Sequence, residues 1–523
     1  MNVKKQVGST CLAVALITSL LAGCSSGTNT NGNNSNGNSN ATSTAAPVTK
    51  DEKPTEISIF VTQNAGTENL TSDNVILKEI EKRTNTKLDI TWVPNNTYAE
   101  KSKVTLSSGD ITDLFAVTNI YDANVVNMAT AGAFWDLTPY IKDYTNLAAL
   151  PEDVWNNIKI NGKIHGIPRI RPLDGGGSLP MIRKDWLDKL KLEVPETMDD
   201  LYAAAKAFTE QDPDGNGEAD TFGIVGDVGA DHMGSLGWVL EVFQGGRGAW
   251  KVQGDKLVPA FMEESEKQAL MWLKQAFDEG VLTPDFAVLK GSQSRDLLMG
   301  NKAGMLGSAM NPQWLFTAGL RKIEPAGDVY PLPYLIGPEG KFAPKDSGNF
   351  GAFLIPKSVS EDKLMKILAF MDFGISDEGA NLAIYGQEGV HYEEKDGFKV
   401  ATPQAATDLV GQNYLGQIFG NFDKYQRAFL TGIPQDMYER NKGIIDEREK
   451  VSKGDPALGL ISQTWLTVGP DLSKKVQDLR IKVIMGKEPM TKWDEFVEAS
   501  KADSQWTKIT AEMNEAYQKR QSQ

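Results

Sequence analysis

"EISIFVTQNAGTENLTSDNVILKEIEKRTNTKLDITWV", residues 56–93, decides the fold class. It opens with Ile57, Ile59 and Val61 at every second position, the period of a strand with one face toward a core. Ile76, Leu77 and Ile80 then recur at helical spacing, and Leu88, Ile90 and Trp92 alternate once more. Strand, helix and strand within about 35 residues form a βαβ unit, which predicts a parallel sheet with a right-handed crossover. "DLFAV", residues 113–117, reads as the next buried strand.

The alternation continues downstream. "TMDDLYAAAKAFTEQ" opens on Thr197 and Asp200, a capping box, and aligns Leu201, Ala204, Ala205 and Phe208 on one face. "ESEKQALMWLKQAFDEG" is a second amphipathic helix, stopped at Gly280. "GAFLIP" reads as a short apolar strand and "SEDKLMKILAFMDFG" as the helix after it. With 523 residues the chain exceeds one ordinary core, so an α/β protein of two lobes is expected.

The N-terminus carries an address. Lys4 and Lys5 precede "CLAVALITSLLAG", an apolar run too short to span a bilayer, and "LAGC" ends on Cys24. Small residues before that cysteine match a bacterial lipobox, in which Cys24 is acylated and becomes the new N-terminus; a plain secretory signal is the alternative. The following "SSGTNTNGNNSNGNSNATSTAAPVTK" lacks the apolar content of a packed core and acts as a tether with a reach of roughly 30 Å. A lipid-anchored body at the extracytoplasmic face of the cell membrane follows. Processing consumes both cysteines, so no disulfide is expected. A formal charge of −15 argues against a nucleic-acid partner.

"QDPDGNGEADTFGI", residues 211–224, places Asp212, Asp214, Asn216, Glu218 and Asp220 at alternate positions. That is how a calcium loop begins, with Glu218 offering its carbonyl and Gly217 the sharp turn. The bidentate glutamate of an EF-hand is missing, since the twelfth place is Gly223. A metal-free turn rich in Asp and Asn fits the same residues.

Several stretches together resemble the extracellular solute-binding proteins of ABC transporters, most closely the lipoprotein group that includes alginate-oligosaccharide binders. "TLSSGDITDLFAV" is similar to that family's strand entry, with Thr112 where proline is usual. "FWDLTPYI", "NGKIHGIPR" with His165 for the common tyrosine, "NKAGMLGSAMNPQW" and "GAFLIPKS" match further landmarks. The block from "MIRKDW" through "DTFGI" is nearly continuous with the family's pattern, and the likeness runs from Glu56 to about Glu388.

The resemblance implies a two-lobed periplasmic-binding-protein-like fold with a hinge and an interlobe cleft. It further implies capture of an oligosaccharide or related solute, delivery to an ABC permease, and action as a monomer. The implied segments are a signal peptide at 1–23, a tether at 24–53, a first lobe from 54–168 and 324–357, and a second lobe from 169–323 and 358–523 with a helical C-terminus. In the alginate-binder relatives the acidic loop holds a structural calcium ion, which assigns Asp212, Asp214, Asn216, Glu218 and Asp220 as ligands here; relatives often carry an acid where this chain has Thr221.

Sugar binding needs flat apolar faces and directional polar groups. Trp314 in "MNPQW" matches a segment whose tryptophan stacks on sugar in the related maltose binder. Asn119 and Tyr121 follow the strand "LFAV", where a cleft opens at the carboxyl end of a parallel strand. Asn64 follows the first strand, and Arg169 and Arg171 follow the crossover segment, where either suits a uronate carboxylate. Apart from Trp314, each of these fits a solvated loop equally well.

The competing class is a lipid-anchored glycoside hydrolase or polysaccharide lyase. The only histidines, His165, His232 and His391, are scattered without zinc-ligand spacing. No P-loop, nucleophile elbow or dinucleotide fingerprint occurs, and "DGGGS", residues 174–178, reads as a flexible turn rather than a phosphate cradle. A non-catalytic binder is the expectation.

Overall fold

Two mixed sheets, each inside its own apolar core, organise a computed structural model that describes residues 53–63, 70–395, 397–411 and 415–522. The signal peptide, the tether with Cys24, and Asn64 lie outside the described residues.

The opening βαβ unit forms as its periodicity predicts. Thr55–Gln63 and Thr86–Pro94 pair in parallel, with Ile57 opposite Leu88 and Ile59 opposite Ile90. The helix Val75–Thr84 between them buries Ile76, Leu77 and Ile80. Asn74 caps it, accepting from the Ile76 and Leu77 N–H groups at 3.0 and 3.1 Å, which satisfies donors that the first turn leaves unpaired.

The first sheet runs Thr86–Pro94, Thr55–Gln63, Leu114–Val117, Asn349–Leu354, Gly166–Ile170. It is not wholly parallel. Asn349–Leu354 is antiparallel to both its neighbours, because it belongs to a later passage of the chain and enters from the opposite end. The second sheet, Val329–Pro331, Leu179–Arg183, Ala303–Ser308, Phe222–Val225, mixes both directions as well. The helix Met198–Glu210 packs on it with both halves of the predicted capping box formed between Thr197 and Asp200.

The cores show how the chain is shared out. Ile57, Phe115, Phe353, Leu364 and Phe419 belong to the first; Leu179, Phe208, Leu335, Phe342, Trp493 and Trp506 belong to the second. This corrects the expected partition in two places. Residues around 332–343 pack with the second core rather than the first, and the helix Glu361–Ile375 packs with the first rather than the second. The chain therefore crosses between cores at 171–178, at 345–348 and at 423–434, and the helices Gln463–Ile484, Met490–Ala502 and Ser504–Gln521 close the second core.

The crossings are tied to one another. The Arg171 N–H donates to Gly348 O at 3.0 Å, and the Asp346 N–H to Leu173 O at 2.6 Å. The glycine run expected to be a flexible turn is a tight passage instead. A β-carbon on Gly176 would meet Asp346 Oδ2 at 1.8 Å, and one on Gly177 would meet Pro344 Cβ at 2.4 Å. Gly175 has φ +81°, with Arg427 and Ile445 packed over it.

Candidate functional site

The site is built where the first two crossings leave the first sheet. Gly166–Ile170 is buried along its whole length and delivers Arg169 inside the core and Arg171 just beyond it. Arg169 is only 2% exposed, yet among the described residues no carboxylate pairs with it. Its Nε donates to Gln417 O at 3.1 Å and its Nη2 to Gln417 Oε1 at 2.5 Å, while Nη1 has no partner among the described residues. Arg171 donates Nη1 to Ile170 O at 2.6 Å and Nη2 to the same Gln417 Oε1 at 3.2 Å. Both guanidiniums thus rest on neutral oxygens.

Electrostatics record the consequence. Burial pushes Arg169 down to about 10. Arg171 falls well below its ordinary value, first through burial and then through the positive charges of Arg169 and Arg427. Arg427, on the third crossing, is lowered by burial too; its Nη1 donates to Asn311 Oδ1 at 3.1 Å and its Nε is unpartnered. Asp346 is the counter-charge near Arg427 and partly offsets its burial. Arg169 and Arg171 meet no carboxylate among the described residues, and such uncompensated charge suits an anion.

An aromatic face lies alongside. The pairing of Asn349–Leu354 with Gly166–Ile170 slips between Asn349 and Ala352, a bulge. Gly351 makes it possible, with φ +75° and no room for a β-carbon against Val117 O. Phe350 projects from this bulge, 46% exposed, and the Arg169 guanidinium lies 5.1 Å from its ring centroid. Gly351 also abuts Thr118, so the exposed Asn119 follows directly beside the bulge.

The other predicted residues stand apart from the arginines. Asn119 Oδ1 accepts from the Tyr121 N–H at 2.9 Å, closing its own turn. The Tyr121 ring packs on the first core beside Gly459, and its hydroxyl is buried without a partner, which raises its pKa. Trp314 sits in the first turn of the helix Gln313–Leu320, partly buried against Phe398, Ile433 and Met437. Arg321 lies 5.9 Å from its ring centroid, and Gly432 of the third crossing lies near its indole nitrogen.

Gln417, Phe350 and Arg427 were not anticipated. A neutral glutamine 248 residues from Arg169 leaves no sequence signal, and a bulge phenylalanine reads as strand. A fourth unanticipated group is Arg247, which bonds Lys345 O at 3.0 Å and pairs with Asp346 on the second crossing. Glu241 stands 3.7 Å from Arg247, and burial pushes its carboxyl up to about 7.

The acidic loop folds on itself at the end of the helix Met198–Glu210. Asp212 accepts from the N–H groups of Gly215, Asn216 and Gly217 at 3.0 to 3.1 Å. Asn216 bridges Asp214 and Asp220, and the Lys302 ammonium pairs with both carboxylates. Hard oxygens in this sequence suit calcium, and the ammonium marks where the loop stabilises positive charge. Thr221 supplies no ligand, because its buried hydroxyl donates to Phe208 O at 2.7 Å. Among the described residues no three His, Cys, Asp or Glu side chains enclose a metal position.

Comparison with known proteins fits this architecture. Residues 65–381 match the family model described as bacterial extracellular solute-binding protein. The lipoprotein LipO of Bacillus subtilis (strain 168) is 31% identical over 448 residues, covering 84% of this chain and 88% of that protein. From the same organism, the polygalacturonan/rhamnogalacturonan-binding protein YtcQ is 32% identical over 432 residues, covering 81% and 84%. The crystal structure of alginate-binding protein AlgQ2 without calcium ion superposes with a TM-score of 0.68 at 20% identity, over 89% of this chain and 98% of that one. Two sheets, two cores and a matched family model lead to one assignment: the chain belongs to the bacterial extracellular solute-binding proteins.

Proposed function

We propose that this solute-binding protein, which is not an enzyme, captures a uronate-bearing oligosaccharide and hands it to the permease of an ABC importer. The observation that carries the acidic half of this reading is the pair Arg169 and Arg171, held on neutral oxygens with one buried N–H unpartnered. The likeness to a polygalacturonan/rhamnogalacturonan-binding protein supports it independently. Phe350 and Trp314 offer apolar faces for sugar rings, and Asn119 an exposed polar group near the Phe350 bulge. Ligand that touches both lobes favours the closed arrangement, which the permease reads.

A thermal-shift panel of acidic and neutral oligosaccharides tests this, because ligand binding only the folded form raises the melting temperature. Galacturonate oligomers should raise it. A response confined to neutral sugars would remove the acidic half of the reading.

The anchor proposed at Cys24 places the body at the outer face of the cell membrane; no helix among the described residues is long and apolar enough to cross one. Cys24→Ala should release the protein or leave it unprocessed, read by fractionation. Unchanged processing with retention in the membrane would contradict the anchor.

Calcium is proposed as a structural ion in the loop, held by Asp212, Asp214, Asn216, Asp220 and the Glu218 carbonyl, entering as Lys302 withdraws. At about one hundred times its dissociation constant it would add about 2.7 kcal/mol of stability. Chelation should therefore lower the melting temperature by several degrees, Asp214→Ala should abolish that response, and Lys302→Gln should tighten calcium binding. Absence of calcium in metal analysis and in titration would leave the loop a turn closed by Lys302.

A further inference from the structure

We infer that Gln417 sets the charge preference of the site: its carbonyl oxygen holds the Arg169 and Arg171 guanidiniums side by side without neutralising them, so their charge is kept for a carboxylate of the solute. The inference rests on the proposed capture of an acidic oligosaccharide and names the residue that makes it selective.

Geometry comes first. Gln417 Oε1 accepts from Arg169 Nη2 at 2.5 Å and from Arg171 Nη2 at 3.2 Å, and Gln417 O accepts from Arg169 Nε. Guanidiniums carry donors only, so the oxygen of this amide, and not its nitrogen, must face them. Each of the three bonds fixes a plane or a spacing that two free arginine side chains would not keep.

The support beneath Gln417 is rigid. It ends the short turn Leu415–Gln417, in which Leu415 is buried. Phe419 follows, with its ring 4.9 Å from Phe370 and 6.1 Å from Phe373 in the first core. The Gly420 N–H then bonds Gly374 O at 3.1 Å. On the other side Arg169 is held over Phe353 at 5.8 Å as well as over Phe350. The fork is therefore positioned from both ends, before any ligand arrives.

Chemistry makes the neutral residue informative. A glutamate of the same length here would form a charge-assisted bond to both arginines and raise the fold's stability. It would also place a fixed negative charge where the ligand carboxylate has to sit, which is repulsion against the acidic solute. The protein has the weaker internal partner. That choice costs stability and leaves two cations available.

The test compares wild type, Gln417→Glu and Gln417→Met with a galacturonate trimer and its neutral galactose counterpart, measuring affinity and melting temperature. Gln417→Glu should bind the acidic trimer at least about 30-fold more weakly while melting no earlier than wild type, which separates electrostatic blocking from damage to the fold. Gln417→Met, equal in length but without the oxygen, should lose less, about three- to tenfold, and keep its preference for the acid. Gln417→Glu that binds the acidic trimer like wild type, or that loses it only together with an earlier melt, overturns the inference alone. Wild-type protein that binds no acidic oligosaccharide overturns the proposed function, and this inference with it.

Discussion

Arg171→Met should weaken binding of a galacturonate trimer by about 100-fold and leave binding of a neutral galactose trimer within about threefold of wild type. The magnitude follows from what is removed. Truncating one partner of a desolvated, hydrogen-bonded charge pair costs about 2–5 kcal/mol, and about 2.7 kcal/mol is a factor of 100. Methionine keeps the length and the apolar stem, so packing along the first crossing is preserved while the charge is lost. Stability should hold or rise, since Arg171 is disfavoured by burial and by its two arginine neighbours. Isothermal calorimetry with parallel melting curves checks both halves. Equal loss for acidic and neutral sugars would show that Arg171 shapes the site without reading charge.

Trp314→Ala should lower affinity for the same ligand by one to two orders of magnitude. Pro312 caps the helix Gln313–Leu320 and fixes the backbone just before the ring, and Phe398, Ile433 and Met437 hold one face of it. A ring already restrained has little freedom left to lose on binding. Stacking that buries about 100 Å² contributes roughly 2.5 kcal/mol. The melting temperature should fall only modestly, because the indole is partly buried rather than enclosed. A fully buried tryptophan would instead cost about 3–5 kcal/mol of stability. A variant that melts far earlier yet binds normally would show that the ring serves the aromatic cluster and not the solute.

What the sequence made legible is local. The period-two runs at Ile57 and Leu88, the helical spacing of Ile76, Leu77 and Ile80, and the box at Thr197 and Asp200 each depend on neighbours within one turn or one strand, and each forms as read. The partition between cores was not legible. Nothing in composition distinguishes Leu335 and Phe342, which return to the second core, from Phe353, which enters the first. Arg169 and Arg171 could be singled out because they carry charge at a crossing. Gln417 could not, since its role exists only once segments 248 positions apart lie together. Phe350 was hidden for a related reason: an alternating strand gives no hint of a bulge until Gly351 meets Val117 O. The "DGGGS" run shows the reverse error, where glycines chosen for close contact with Pro344 and Asp346 read as flexibility.

The proposed function turns on recognition of a solute carboxylate by the positive charge of Arg169 and Arg171 at the first crossing. Titrating wild-type protein with a galacturonate trimer and with its carboxyl-reduced galactose counterpart, at the same ionic strength, compares ligands that differ only at the carboxylate. Hydrogen bonds to charged groups are worth about 1.5–3 kcal/mol, so the acidic trimer should bind roughly 10- to 150-fold tighter. Equal affinity for the two, or preference for the reduced sugar, would contradict it.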